Sequence, residues 1–131
     1  MKEAIFILYV KDQAASADFY QRVLDRQPRL NVPGMTEFAL TDGSVLGLMP
    51  AAGIKRLLGD RLPDPAQANG VPRAEVYLRV DDPAAYHERA LTLGATEMDG
   101  LAHRDWGDIA AYSLDPDGHV LAFARTEPAS E

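Results

Sequence analysis

The chain alternates between apolar runs of strand length and stretches of helical spacing, and it does so twice. Residues 4–10 form a β-rich apolar run, which predicts a first strand. Asp12 is placed to cap a helix, and Ala15, Phe19, Tyr20, Val23 and Leu24 then share one face over about residues 13–25. A short strand over 26–32, a turn at Pro33-Gly34, a strand from Thr36 to Leu40, the turn Asp42-Gly43 and a strand over 44–49 complete the first pattern. The second opens with a strand over 74–80. Asp82-Pro83 puts Asp at a helix N-cap and Pro at the first helical position; Tyr86, Ala90 and Leu93 share a face, and Gly94 is a stop signal. A weaker strand over 95–101, a strand from Asp108 to Leu114, the turn Asp115-Pro116-Asp117-Gly118 and a last strand over 119–125 follow. Each half reads β-α-β-β-β. Aligning the turns with one extra residue in the second half pairs Phe38 with Tyr112 and Leu40 with Leu114.

The boundaries that follow are a first module over about 1–49, a linker over 50–73, a second module over about 74–125 and a tail over 126–131, all within one domain. Pro50, Gly53, Gly59, Pro63, Pro65, Gly70 and Pro72 punctuate the linker. Ile54 to Leu58 could form a short helical turn, Asp60 to Val71 has no periodicity and reads as a mobile loop, and the tail is expected to fray from Thr126.

Side chains alternate across a strand. Phe6, Leu8 and Val10 therefore share a side, as do Val76, Leu78 and Val80, Leu46 and Leu48, and Leu121 and Phe123. This uniformly apolar side is the one expected to pack on helices. The opposite side carries Ile5, Ile7 and Tyr9; Glu75, Tyr77 and Arg79; Val45, Gly47 and Met49; and Val120, Ala122 and Ala124. Small residues there leave volume and aromatic residues supply wall, the composition of a small-molecule pocket.

Composition narrows the chemistry. There is no cysteine, which removes disulfides, thiolate nucleophiles and Cys-ligated metals and fits a cytoplasmic setting. A net charge of −7 argues against nucleic acid, which needs clustered Lys and Arg. No apolar run has the length of a membrane span, and Met1-Lys2-Glu3-Ala4 does not read as a signal peptide. No Ser-His-Asp order, phosphate loop or dinucleotide fingerprint occurs.

Several segments together resemble the vicinal oxygen chelate superfamily of glyoxalase I, extradiol dioxygenases and bleomycin-resistance proteins. They are the strand ends Val10-Lys11-Asp12 and Val80-Asp81-Asp82, the helix end Asp18-Phe19-Tyr20-Gln21-Arg22-Val23-Leu24, and the closing Asp115-Pro116-Asp117-Gly118-His119-Val120-Leu121. The resemblance covers nearly the whole chain apart from 50–72. It implies an α+β fold of two βαβββ modules forming a curved mixed sheet with helices on the outer face. In metal-dependent members four ligands, mainly His or Glu, sit at equivalent strand positions, which carry over to Ile5, Gly47, Glu75 and Ala122. Only Glu75 could bind a metal, whereas a catalytic divalent ion normally needs about three protein ligands. His87 on a helix, His103 in a loop and His119 after a turn do not replace the missing ones. The resemblance is therefore closest in character to the metal-free, bleomycin-resistance-like branch, in which a homodimer forms the cleft, no cofactor is used, and a ligand is sequestered without chemistry. His103-Arg104-Asp105-Trp106-Gly107 looks like the loop that carries an aromatic wall in that branch.

The expected function is thus binding of an aromatic or antibiotic-like small molecule in a dimer cleft, with Tyr9, Phe38, Met49, Glu75, Tyr77, His103, Trp106 and Tyr112 as candidate ligand contacts. Trp106 is either a core anchor or a solvent-facing stacking wall. Phe38 also reads as ordinary core. Glu75 either pairs with Arg79 or is a desolvated pocket carboxylate. Three alternatives stay open: a metal-independent isomerase or lyase with Glu75 as base, a divalent-metal glyoxalase- or dioxygenase-like enzyme with an atypical ligand set that includes Glu75 and His103, and a partner module with no small ligand.

Overall fold

The structure is a computed structural model and describes residues 1–128. The chain divides into two compact units, one from Met1 to Asn69 and one from Gly70 onward.

The first unit runs β1 (Ala4–Val10), α1 (Gln13–Leu24), β2 (Leu30–Val32), β3 (Met35–Thr41), β4 (Ser44–Pro50) and α2 (Ala51–Leu58). Its four-stranded mixed sheet has the order β1-β4-β3-β2, with β1 parallel to β4 and the other pairs antiparallel. The Asp12 carboxylate accepts the Ala15 backbone N–H at 3.1 Å, the cap that the sequence predicts. Helix α1 packs on β3 and β4, and Val10, Phe19, Tyr20, Val23, Phe38, Leu46 and Leu48 are buried in the layer between. Each such side chain contributes about 1.5–3 kcal/mol through burial.

Phe6 departs from expectation. It shares the side of Leu8 and Val10, yet it is 69% exposed although Leu46, opposite it on β4, is buried. The linker also carries more regular structure than the sequence suggests. Helix α2 starts at Ala51 rather than Ile54, and short 3-10 turns follow at Gly59–Arg61 and Pro65–Ala68. Lys55 holds this path by donating to the Gly59 carbonyl at 3.0 Å and the Leu62 carbonyl at 2.7 Å. Ala51 and Ile54 are buried beneath it. Packing and one lysine thus give regular structure to the part of the linker from Ala51 to Leu62, and a 3-10 turn lies beyond it.

The second unit runs β5 (Glu75–Arg79), α3 (Pro83–Thr92), β6 (Thr96–His103), β7 (Asp108–Leu114) and β8 (Val120–Thr126). Its sheet has the order β5-β8-β7-β6, with β5 parallel to β8 and the remaining pairs antiparallel. Among the described residues the architecture is α+β, with two four-stranded mixed sheets and three α-helices. Asp82 caps α3 through the Ala85 N–H at 3.1 Å, and Pro83 opens the helix. The helix lies against β6, β7 and β8, with Tyr86 packed 5.2 Å from Phe123, centroid to centroid. Strand β8 continues through Thr126, and the Glu127 N–H donates to the Gly107 carbonyl at 2.9 Å, so this part of the tail is tied down. Residues 129–131 of the tail lie outside the described residues. Among the described residues no helix is long and apolar enough to cross a membrane.

The register corrects both pairings of the repeat: Leu114 lies opposite Val120, whose counterpart Val45 lies opposite Ala39 rather than Leu40. Phe38 lies opposite Leu46, and Tyr112 lies opposite Ala122. Gly43 and Gly118 close the two hairpin turns, which makes Leu46 the counterpart of Leu121 and Gly47 the counterpart of Ala122. The residue opposite Gly47 is Glu37, so Tyr112 corresponds to Glu37, and Phe38 corresponds to Ser113. A one-residue slip moves a side chain to the other face of a sheet. Phe38 accordingly sits fully buried on the α1 side and lines no open face.

Candidate functional site

The chemistry of the second unit gathers on the sheet face opposite α3. Alternation puts Glu75, Tyr77 and Arg79 of β5, Asp108, Ala110 and Tyr112 of β7, and Ala122 and Ala124 of β8 on this side. Ala110, Ala122 and Ala124 are fully buried, and Tyr77 and Tyr112 are half-buried.

Asp108 organises the face. It is 1% exposed, at the first position of β7. The Tyr77 hydroxyl donates to its Oδ2, Arg79 Nε donates to the same oxygen at 3.1 Å, and the Thr126 side chain is a further partner. The Tyr77 hydrogen bond, with help from Thr126 and the Arg79 charge, holds the Asp108 carboxyl below the usual carboxylate range. Burial, followed by the bond to Asp108, pushes the Tyr77 phenol above its ordinary value. The Trp106 indole Nε1 in turn donates to the Tyr77 oxygen at 3.0 Å. Trp106 is 54% exposed, so a half-open aromatic plane is fixed by a chain of hydrogen bonds ending on a buried charge.

A hairpin loop presents the indole. The Arg104 N–H donates to the Asp108 carbonyl at 2.8 Å, the Gly107 N–H donates to the Arg104 carbonyl at 3.2 Å, and Gly107 has φ 95°, the left-handed conformation that such loops require. Arg104 fills the irregular stretch of β6. Its guanidinium donates to the Gly100 and Ala110 carbonyls and to Asp99 Oδ2 at 2.7 Å, and it stacks 5.1 Å from the Tyr112 ring centroid. Burial first, and then the Glu75 charge, raises the Tyr112 phenol.

The structure brings Tyr77, Trp106, Tyr112 and Glu75 onto one face. Glu75 is exposed, and no hydrogen bond or ion pair engages it among the described residues. Arg79, its expected partner, pairs with Asp108 instead. His103 is not part of the cluster: it lies opposite Ile109, on the other side from Ala110, and its Nδ1 meets the Glu127 carboxylate. The other histidines are structural. His87 is buried in α3 with Nε2 2.8 Å from Glu97, and His119 is buried against Asp115 at 3.1 Å. Tyr9 and Met49 lie opposite each other in the first unit and are half-buried. The sequence reading missed Asp108 and Arg104. Asp108 was accessible to it, since two-residue alternation from Tyr112 through Ala110 leads there; the role of Arg104 depends on the irregular pairing of β6.

The four positions that the resemblance assigns to a metal hold Ile5, Gly47, Glu75 and Ala122, of which one has a donor side chain. Among the described residues no three His, Cys, Asp or Glu side chains gather to hold an ion. This donor set does not fit a divalent catalytic metal.

A family model described as a glyoxalase-like domain matches residues 5–124. The chain is 31% identical over 127 residues to an uncharacterized protein of Mycobacterium bovis, covering 90% of this chain and 79% of that one. Among solved structures it is similar to a glyoxalase-related enzyme from Fulvimarina pelagi, with a TM-score of 0.79 and 22% identity over 94% of this chain and 86% of that one. It is also similar to a glyoxalase/bleomycin resistance protein/dioxygenase from Nocardioides, with a TM-score of 0.76 and 20% identity over 98% and 85%. Such structural likenesses speak for the fold, while residues 5–124 match the family itself. The chain belongs to the family of glyoxalase-like domains.

Proposed function

We propose that this protein binds a planar or aromatic small molecule against the aromatic face of its second unit, without a metal and without chemistry, and that it works as a homodimer. The observation that carries the binding reading is Trp106. An indole left half exposed while its N–H is committed to Tyr77, and Tyr77 to buried Asp108, is a stacking surface whose conformational cost is met before the ligand arrives. The same chain argues against proton transfer. Asp108 is held ionised by its donors and is a weak base, and the Tyr77 proton is committed to Asp108, with the phenol raised. Association of two copies is supported by β1, which is terminal in its sheet order and leaves Ile5, Phe6 and Ile7 exposed in succession. Because the chain has a single tryptophan, its emission reports the site directly. Titration with glycopeptide, quinone and aromatic compounds is expected to change that emission, and silence across the panel would overturn the binding reading. Sedimentation is expected to give a dimer, and a monomer at all accessible concentrations removes that part.

A further inference from the structure

We infer that the ligand carries an anionic group of carboxylate shape, and that the terminal nitrogens of Arg79 receive it beside the aromatic plane. This deepens the binding reading above and rests on it. Arg79 ends β5, on the same face as Tyr77, with its guanidinium 5.6 Å from the Tyr77 ring centroid. Its Nε is spent on Asp108 at 3.1 Å, and among the described residues no other hydrogen bond or ion pair engages the side chain. A guanidinium has five N–H donors in one plane, so four remain on the terminal nitrogens. The Arg79 side chain is 62% exposed while that of Asp108 is 2% exposed, so the cation is anchored at its inner end and open at its outer one.

The contrast with Arg104 marks Arg79 as the available group. All three Arg104 nitrogens are engaged, on Asp99 and on the Gly100 and Ala110 carbonyls, and its side chain is 15% exposed. Asp108 does not fully cancel Arg79 as a partner for anions, because its charge is shared with the Tyr77 hydroxyl and Thr126. Glu75, the carboxylate of β5 itself, stands four residues back along the strand, about 13 Å at ~3.3 Å per residue, roughly a Debye length or more at physiological salt. A carboxylate seated on the terminal nitrogens would form charge-assisted, two-pronged hydrogen bonds, and an attached ring would reach the Tyr77–Trp106 wall.

The probes are 2-naphthoate, 2-naphthylmethanol and 2-naphthylmethylammonium, matched in ring and differing in charge. The readout is the single indole N–H resonance of Trp106 in titrations followed by nuclear magnetic resonance. Naphthoate is expected to bind about tenfold more tightly than the alcohol, the scale of one charge-assisted contact. Arg79→Gln is expected to bring the two affinities together. Arg79→Lys, measured alongside, keeps the charge but loses the planar fork and is expected to retain only part of the preference. An alcohol or ammonium probe binding as tightly as naphthoate overturns the anion subsite and leaves the aromatic site standing. A full preference in both variants overturns it too. Failure of all three probes to move the resonance removes the subsite together with the aromatic reading beneath it.

Discussion

Gly118→Ala tests the turn that launches β8, the strand whose Ala122 and Ala124 lie on the candidate binding face. Gly118 has φ 89°, and a Cβ added there would stand 2.5 Å from the Gly70 carbonyl oxygen, 2.9 Å from its Cα and 3.0 Å from its carbonyl carbon. Two costs combine. Holding an L-residue in the left-handed region costs about 1–2 kcal/mol. Pushing apart two backbone segments in contact costs about 1–3 kcal/mol more. The sum is about 2–5 kcal/mol, or a loss of melting temperature on the order of 6–20 °C for a chain of this length. Gly34→Ala is the control, because Gly34 has φ 98° but nothing within 4 Å of an added Cβ, so it bears the conformational cost alone. Both variants are melted by circular dichroism under identical conditions. Gly118→Ala is expected to lose at least twice as many degrees as Gly34→Ala. Equal losses would mean that Gly70 yields freely, and the argument from close approach would be refuted.

Phe38→Ala should destabilise by about 3–5 kcal/mol in urea titrations, as a buried aromatic does; intact stability with altered ligand binding would return Phe38 to the ligand wall. Tyr77→Phe removes the acceptor of the Trp106 N–H, so indole quenching by acrylamide should rise, and unchanged quenching would show that the hydrogen bond does not hold the ring. Because the Asp108 carboxyl is lowered in the fold, its stabilisation is present above the ordinary carboxylate range and is lost as pH falls through and below it. Asp108→Asn should flatten that acid limb of the stability–pH curve, and an unaltered limb would remove Asp108 as its source. Glu75→Gln should change stability by less than about 0.5 kcal/mol, as an exposed, unpaired side chain does. If a turnover assay emerges and Glu75→Gln abolishes activity while retaining binding, the isomerase or lyase reading replaces the present one.

Elements with strong local signals were legible in the sequence. Asp12 and Asp82-Pro83 fix the starts of α1 and α3 through side-chain oxygens and a missing N–H, which are purely local effects. The β1 range follows from its β-rich apolar run, and the expected strand from Asp108 to Leu114 is β7. What failed needed more than the local pattern of residues. The order of the linker comes from Lys55 reaching two carbonyls and from Ala51 and Ile54 being covered. The pairing of Phe38 with Tyr112 failed because a repeat aligned by its turns carries a one-residue ambiguity, and with a period of two that error exchanges the faces. The same slip hid Glu37 as the counterpart of Tyr112. Glu75–Arg79 pairing was plausible along one strand, but it could not be weighed against Asp108, which β8 places across the sheet.

The corrected register also shows how the two halves of the repeat differ chemically. In the first unit the positions matching Glu75, Tyr77 and Arg79 are Ile5, Ile7 and Tyr9. Hydrocarbon closes around the strand there: a Cβ at Gly47 would lie 3.0 Å from Ile7 Cγ1 and 3.3 Å from both Ile5 Cγ2 and Met35 Sδ. The buried carboxylate of that face, Glu37, is gripped by Arg29 at 2.8 Å, and Arg29 also holds Glu3 with two further hydrogen bonds. Glu37, Arg29 and Glu3 thus satisfy one another, which suits packing and leaves these charges little to direct a ligand. In the second unit the counterpart positions carry a carboxylate, a phenol and a guanidinium, and Asp108 commits only the inner ends of the latter two. Indole, phenol and guanidinium are therefore fixed in place while their outer surfaces stay open. Fixed orientation with open valence is what selective binding requires, since the ordering cost is met by the fold and the contacts remain for the ligand.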